Sequence, residues 1–290
     1  MRTDGPVVVA LDGSTSSEDT MRWGVDEAAA RGADVVLVRC VDDSWAQTAW
    51  TWYPEVSAFP PDVEAKEYLS DVLFHEQERH PQLEFDVRIP HGPVVPSLRD
   101  LSDDAQLLVV GSGARRGRRR TGAVAPHVAA HAHCPVAVVR SDPDHPELPA
   151  APVVVGIDGS PGALAAAHAA AHEAWTLGRG LVVVHARPTV PDPFGRGTGV
   201  PVRTDDPDHP THRAARAIAD ELAATYEGLH VDVELVDDDP ATALVELSHA
   251  SPLLVVGSRG LGGFRGMLLG SVSADVVREA TCPVLVVHEG

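Results

Sequence analysis

Short apolar runs alternate with longer helical patterns along the chain. In the second half, residues 153–157, 181–185, 231–236, 253–257 and 284–287 read as strands. They are near-continuous in apolar residues, as expected of parallel strands covered on both faces. Residues 162–177, 208–227, 241–250 and 271–280 read as helices. Ala163-Leu164-Ala165-Ala166-Ala167 is strongly helix-forming, and Gly178 supplies a C-terminal stop. Strands that alternate with helices imply right-handed crossovers and a parallel sheet with helices on both sides.

The pattern occurs twice. Val7-Val8-Val9-Ala10-Leu11-Asp12-Gly13-Ser14 returns 146 positions later as Val153-Val154-Val155-Gly156-Ile157-Asp158-Gly159-Ser160. Leu107-Leu108-Val109-Val110-Gly111-Ser112 returns at the same offset as Leu253-Leu254-Val255-Val256-Gly257-Ser258. Cys134-Pro135-Val136 returns as Cys282-Pro283-Val284, now 148 positions on. The first copy has therefore lost two residues between Ser112 and Cys134, in the stretch from Ser112 to about Thr121. The expected organisation is an α/β chain of two tandem doubly wound domains, 1–140 and 152–290. The proline-rich segment 141–151 forms a stiff, exposed linker with its boundary near Pro146.

In such sheets ligands sit beyond the carboxyl ends of the strands, where strand order reverses. Asp158 and Gly257 both fall at such ends. The segment from Gly257 to Ser271 leaves a buried strand, ends on a helix and holds six glycines in fifteen positions. That density is costly in chain entropy, but it lets backbone N–H groups approach an anion closely. Ser271 stands where a helix N-cap is expected, beside the unpaired N–H groups of the first turn. Arg259 and Arg265 add positive charge. No Gly-Lys-Ser/Thr follows, so this is not a P-loop, and it lacks the Gly-x-Gly-x-x-Gly of dinucleotide folds. Asp158 has two readings, a ligand contact at the switch point or a simple cap for the next helix.

Gly257-x2-Gly260-x9-Gly270-Ser271, with the following Val272, resembles the ATP-binding signature of the universal stress protein family. The Val-Val-Val-Gly-Ile-Asp-Gly-Ser opening and the Cys282-Pro283-Val284-Leu285-Val286-Val287 ending are similar to that family too. The resemblance spans nearly the whole chain. It implies a five-stranded parallel sheet flanked by helices in each domain, a fifth strand used in domain pairing, and ATP at the switch point. It assigns Gly257, Gly260, Gly270 and Ser271 to the phosphates and ribose, and Asp158 to the nucleoside and any magnesium. Ala186, just after the second strand and His185, would offer its backbone to adenine. Gly156, Val256, Ser258, Arg259 and Val272 complete the expected contacts.

The first copy departs from this pattern. Its loop reads Gly111-Ser112-Gly113-Ala114-Arg115-Arg116-Gly117-Arg118-Arg119-Arg120-Thr121-Gly122-Ala123, two residues shorter than its counterpart. Ala114 replaces the second glycine and Ala123 the serine. Asp12, Gly111 and Gly122 remain as a weaker site, and five arginines could attract an anion or dock an acidic surface.

Composition narrows the function further. With 23 Lys and Arg against 42 Asp and Glu, the formal charge is −19, a field that repels nucleic acid and anionic membranes. Any anion site must therefore be built from local donors. No signal peptide or membrane span is read, and three cysteines cannot all pair, so a reduced, cytoplasmic protein is expected. His127, His131 and His133 read as helix-surface histidines or, less simply, metal ligands; no metal other than Mg with ATP is expected. Trp45, Trp50, Trp52, Tyr53 and Phe59 gather in one long connection, as a lid, a partner surface or a packed loop. Three functions follow: a non-catalytic ATP-binding stress or signalling protein, a slow ATPase or nucleotidyl-transferring enzyme, or a nucleotide-free scaffold. The two domains are expected to pair within the chain, with a further homodimer possible.

Overall fold

The computed structural model describes residues 4–14, 16–42, 62–113, 124–140, 150–187, 210–261 and 269–289, the side chains of 210 and 211 excepted. The chain divides into two compact units, Met1–Ser141 and Asp142–Gly290.

The first unit runs β1 (Val7–Ala10), α1 (Ser17–Arg31), β2 (Val35–Val38), α2 (Val63–Arg79), β3 (Phe85–Arg88), α3 (Val94–Leu101), β4 (Leu107–Gly111), α4 (Val124–His131) and β5 (Val136–Val139). Its strands lie parallel in the order β3-β2-β1-β4-β5. The second unit repeats this with β6 (Val153–Gly156), α5 (Pro161–Thr176), β7 (Leu181–Ala186), α6 (Pro210–Thr225), β8 (Val231–Val236), α7 (Pro240–Ser248), β9 (Leu254–Gly257), α8 (Ser271–Glu279) and β10 (Val284–Val287). Its order is β8-β7-β6-β9-β10, again parallel. After β1 the chain moves outward on one side through β2 and β3, then returns to the other side of β1 as β4. The reversal thus falls between β1 and β4, and in the second unit between β6 and β9.

The inner strands are apolar because helices cover both faces. Val7, Val9, Leu107, Val109, Val153, Val155, Leu254 and Val255 are fully buried. The run 231–236, read as covered on both faces, is not. In β8 Val231 and Val233 are half-buried while Asp232 and Glu234 are exposed, and β3 alternates likewise. Each is the outermost strand of its order, with one wet face, and the period-2 alternation of Val-Asp-Val-Glu records this.

Local chemistry sets the helix ends. Ser160 caps α5 by accepting the Ala163 N–H at 3.1 Å, with Pro161 in the first turn. Asp239 caps α7 in the same way, ahead of Pro240. Gly178, at φ +63°, follows α5 as the sequence implies. The alanine-rich face of α5, including Ala166, Ala167, Ala170 and Ala174, is buried. Such small side chains let the helix lie close to the sheet. Among the described residues no helix is long and apolar enough to cross a membrane.

Candidate functional site

Three strand ends meet at the reversal of the second unit. β6 delivers Gly156, Ile157 and Asp158, β7 delivers Ala186, and β9 delivers Val256, Gly257 and Ser258. Val256 and Gly257 are buried and Gly156 and Ala186 half-buried. A Cβ at Gly156 would lie 2.7 Å from Leu244 Cδ1, so a larger residue there would have to displace that leucine side chain. His185 Nδ1 lies 3.0 Å from the Ile157 carbonyl, which ties β7 to β6 beside Ala186.

Asp158 does not cap α5; Ser160 does. Asp158 Oδ1 instead accepts the Ser160 N–H at 2.9 Å, and Oδ2 accepts the Leu261 N–H at 2.8 Å. Burial alone would raise its pKa, but the hydrogen bonds from Ser160 and Leu261 outweigh it and hold the carboxyl below its ordinary value. The carboxylate thereby joins the segment after β6 to the one after β9.

The segment after β9 is fastened at several points. Ser258, itself buried, donates its N–H to the Val287 carbonyl at 2.7 Å. The Ser258 carbonyl accepts the Gly270 N–H at 2.8 Å, which closes the base of the glycine-rich loop. Ser160 Oγ lies 3.4 Å from the Arg259 carbonyl, and the Arg259 residue is exposed. Gly257 packs on the first turn of α5, where a Cβ would come within 2.8 Å of the Gly162 carbonyl carbon. At Gly260 a Cβ would collide with Asp158 Oδ2. Gly270 differs, because a Cβ there would meet nothing nearer than 3.6 Å. Packing among the described residues therefore accounts for glycine at 257 and 260, and not at 270.

The expectation that Ser271 caps α8 is corrected. Gly270 is the N-cap, with φ −66° and ψ 155°, and its carbonyl accepts the Ala274 N–H at 2.8 Å. The backbone is still extended at 270 and already helical at 271, so Ser271 is the first helical residue. A glycine cap has no side chain to offer the first-turn N–H groups. Whereas α5 and α7 are closed by Ser160 and Asp239, α8 has no side-chain cap among the described residues, and its first turn carries the positive end of the helix dipole. Ser271 is exposed and Val272 half-buried. Ser273, buried, donates to the Gly257 carbonyl at 2.6 Å and fixes the helix start against β9.

Sequence reasoning missed Ser160, Gly162, Leu261 and Ser273 as parts of this site. Ser160-Pro161 carried a readable cap signal. The others depend on contacts between distant segments, which no local pattern announces.

The matching place in the first unit is built differently. Asp12 Oδ1 accepts the Ser14 N–H at 2.9 Å and the Ser17 hydroxyl at 2.7 Å. Ser17 stands where the second unit has Ala163. Burial would raise the Asp12 pKa, but the bonds from Ser14 and Ser17 hold it low. Arg39 stands where the second unit has His185. Its guanidinium lies 5.1 Å from the Tyr68 ring centroid, 2.9 Å from Glu64 Oε1, and 2.9 Å from where a Gly13 Cβ would be. Side chains of the unit itself thus crowd the end of β1. Gly111 ends β4, with Thr20 Oγ1 3.0 Å from where its Cβ would lie. Gly122, Ala114, Ala123 and the loop arginines lie outside the described residues. So do the aromatic cluster from Trp45 to Phe59, Arg265, and the linker up to residue 149.

Elsewhere, His131 Nδ1 lies 2.7 Å from the His127 carbonyl, and His133 Nε2 lies 3.7 Å from Asp103 Oδ1. Cys40, Cys134 and Cys282 form no disulfide, and burial raises Cys134 to about 12.

Comparison with known proteins agrees with this duplicated architecture. The Universal stress protein family matches twice, over residues 5–140 and 150–288. Universal stress protein Rv2005c of Mycobacterium tuberculosis is 33% identical over 292 residues, covering 98% of this chain and 97% of the relative. Universal stress protein Rv1996 of the same species is 32% identical over 305 residues, covering 98% and 95%. The crystal structure of a universal stress protein from Archaeoglobus fulgidus DSM 4304 matches with a TM-score of 0.71 at 19% identity, covering 99% of this chain and 98% of that one. At that identity the likeness concerns the fold.

Proposed function

The chain belongs to the universal stress protein family, and from that premise we propose that its second unit binds an adenine nucleotide, ATP first, without a dedicated catalytic step. The observation that carries the reading is the start of α8. Among the described residues its first-turn N–H groups have no capping side chain and its N-cap glycine has no packing reason to be glycine, and both stand at the strand-order reversal. Phosphate oxygens would accept from the Ser271 and Val272 N–H groups, with the Ser271 hydroxyl beside them. The ribose and base would extend past Asp158 towards Ala186. The local field suits an anion although the chain as a whole carries −19.

Magnesium fits this site only as a companion of the phosphates. Both Asp158 oxygens already accept backbone N–H bonds, so phosphate oxygens and water would form most of an octahedral shell. The role that follows is that of a cytoplasmic stress or signalling protein whose partners respond to nucleotide occupancy.

Calorimetric titration of the full chain with ATP tests this, alongside Gly270→Val. The reading requires saturable binding that the substitution removes. Protein that neither co-purifies with nucleotide nor binds ATP would refute it. Single-turnover hydrolysis addresses the non-catalytic part: a chemical step abolished by Asp158→Asn would make the protein an enzyme.

A further inference from the structure

We infer that Asp158 and Gly260 form a latch that sets the entry of the glycine-rich loop, and that this pair distinguishes the intact loop from the degenerate one. The second glycine of the signature is then dictated by the carboxylate beside it, and Asp158 acts as a positioning residue for the loop.

Three observations carry this. First, Asp158 Oδ2 accepts the Leu261 N–H at 2.8 Å, between residues 103 positions apart in the chain. The other oxygen is held by the Ser160 N–H at 2.9 Å, so the carboxylate is anchored to the start of α5 while it grips the loop. Second, that grip brings Oδ2 so close to Gly260 that any Cβ there would overlap it. The obstacle belongs to a side chain whose other oxygen is pinned, so it cannot simply rotate away. Third, the first unit supplies a natural variant. It keeps the aspartate as Asp12 but has Ala114 at the position of Gly260. There the carboxylate bonds the Ser17 hydroxyl of its own helix at 2.7 Å, where the second unit has Ala163 and no hydroxyl to offer. Ala114 lies outside the described residues, so the contrast between the copies is one of sequence, with glycine beside Asp158 and alanine in the copy that keeps Asp12.

A double-mutant cycle in the full chain tests the latch, with Asp158→Ala, Gly260→Ala and both together. The first readout is hydrogen exchange of the Leu261 amide without nucleotide. A charge-assisted hydrogen bond of ordinary strength predicts about 10- to 100-fold faster exchange in either single variant. The double variant should be no faster than Asp158→Ala alone, because the alanine methyl then has no carboxylate to meet. Asp158→Asn, which retains a carbonyl acceptor, should recover part of the protection. The second readout is ATP affinity, which rests on the nucleotide reading above. Gly260→Ala should weaken binding at least about tenfold beside Asp158 and less than about twofold beside Ala. Effects that multiply independently, or Leu261 protection that ignores Asp158→Ala, would overturn the latch. Coupled exchange with no ATP binding by any variant would leave the latch standing and remove the nucleotide assignment.

Discussion

Asp12 and Asp158 occupy the same place in two copies of one fold, and they do different work. Both follow the first strand of their unit, both accept an N–H from the serine two residues on, and both are held below their ordinary pKa. Asp158 places its second oxygen on the loop after β9, whereas the Ser17 hydroxyl on the following helix shares Asp12 Oδ1 with the Ser14 N–H. Nearby, Arg39 and Tyr68 crowd the end of β1, while His185 at the end of β7 lies against the Ile157 carbonyl of the neighbouring strand. The framework of the switch point is thus inherited by duplication, but the glycine pattern of the loop is not. A few substitutions that leave every strand in place separate the two strand-order reversals.

The largest effect that would sharpen this contrast is at Gly270. Gly270→Val puts a branched side chain at the start of α8, where its Cβ would meet no described atom nearer than 3.6 Å. Loss of ATP affinity by about 100-fold or more, a change of about 3 kcal/mol, with an unchanged melting temperature, is expected in calorimetry and thermal denaturation. A pure packing role for Gly270 would instead lower stability.

Next come the paired glycines at the ends of β9 and β4. Gly257→Ala drives a methyl into the backbone of Gly162 at 2.8 Å, whereas Gly111→Ala meets only the movable Thr20 hydroxyl at 3.0 Å. Overpacking against backbone should cost about 1–3 kcal/mol, and the Gly111 variant clearly less. Equal losses in denaturant melts would mean that the two units close their switch points alike.

Ser273→Ala removes the buried hydroxyl that bonds the Gly257 carbonyl at 2.6 Å. An unsatisfied buried acceptor costs about 1–3 kcal/mol, so a lower urea midpoint is expected, with ATP affinity reduced as the start of α8 loosens.

The smallest effect is on pH dependence. A carboxyl whose folded pKa is depressed stabilises the native state fully above its unfolded value, and that contribution fades as pH falls through the folded value. Asp12 and Asp158 therefore both contribute above about pH 4 and lose their contributions in more acid solution. The protection factor of the Leu261 amide, its exchange rate corrected for the base-catalysed intrinsic rate, should fall in that range and stay level between about pH 6 and 8. A loss of protection near neutrality would point to histidine control.

Much of this was legible in the chain itself. The shift in offset from 146 to 148 located the difference between the copies within the glycine-rich loop. Buried Val and Leu runs located the inner strands because burial on two faces leaves a compositional trace. Asp158 and Gly257 converged because parallel βαβ topology leaves few places where a strand order can reverse. Two readings failed for local reasons. The cap of α8 is Gly270 and not Ser271, since adjacent small polar and glycine residues both suit an N-cap and only backbone angles separate them. The apolar residues of 231–236 suggest a doubly covered strand, but Asp232 and Glu234 mark a wet face. The Asp158–Leu261 bond was illegible for another reason, because a backbone N–H has no sequence signature.

The central claim is that a repeated fold here carries a single nucleotide site, and binding stoichiometry tests it most directly. Titration of the nucleotide-free chain with ATP should give one site per chain, abolished by Gly270→Val. Two sites per chain, or one that survives that substitution, would contradict it.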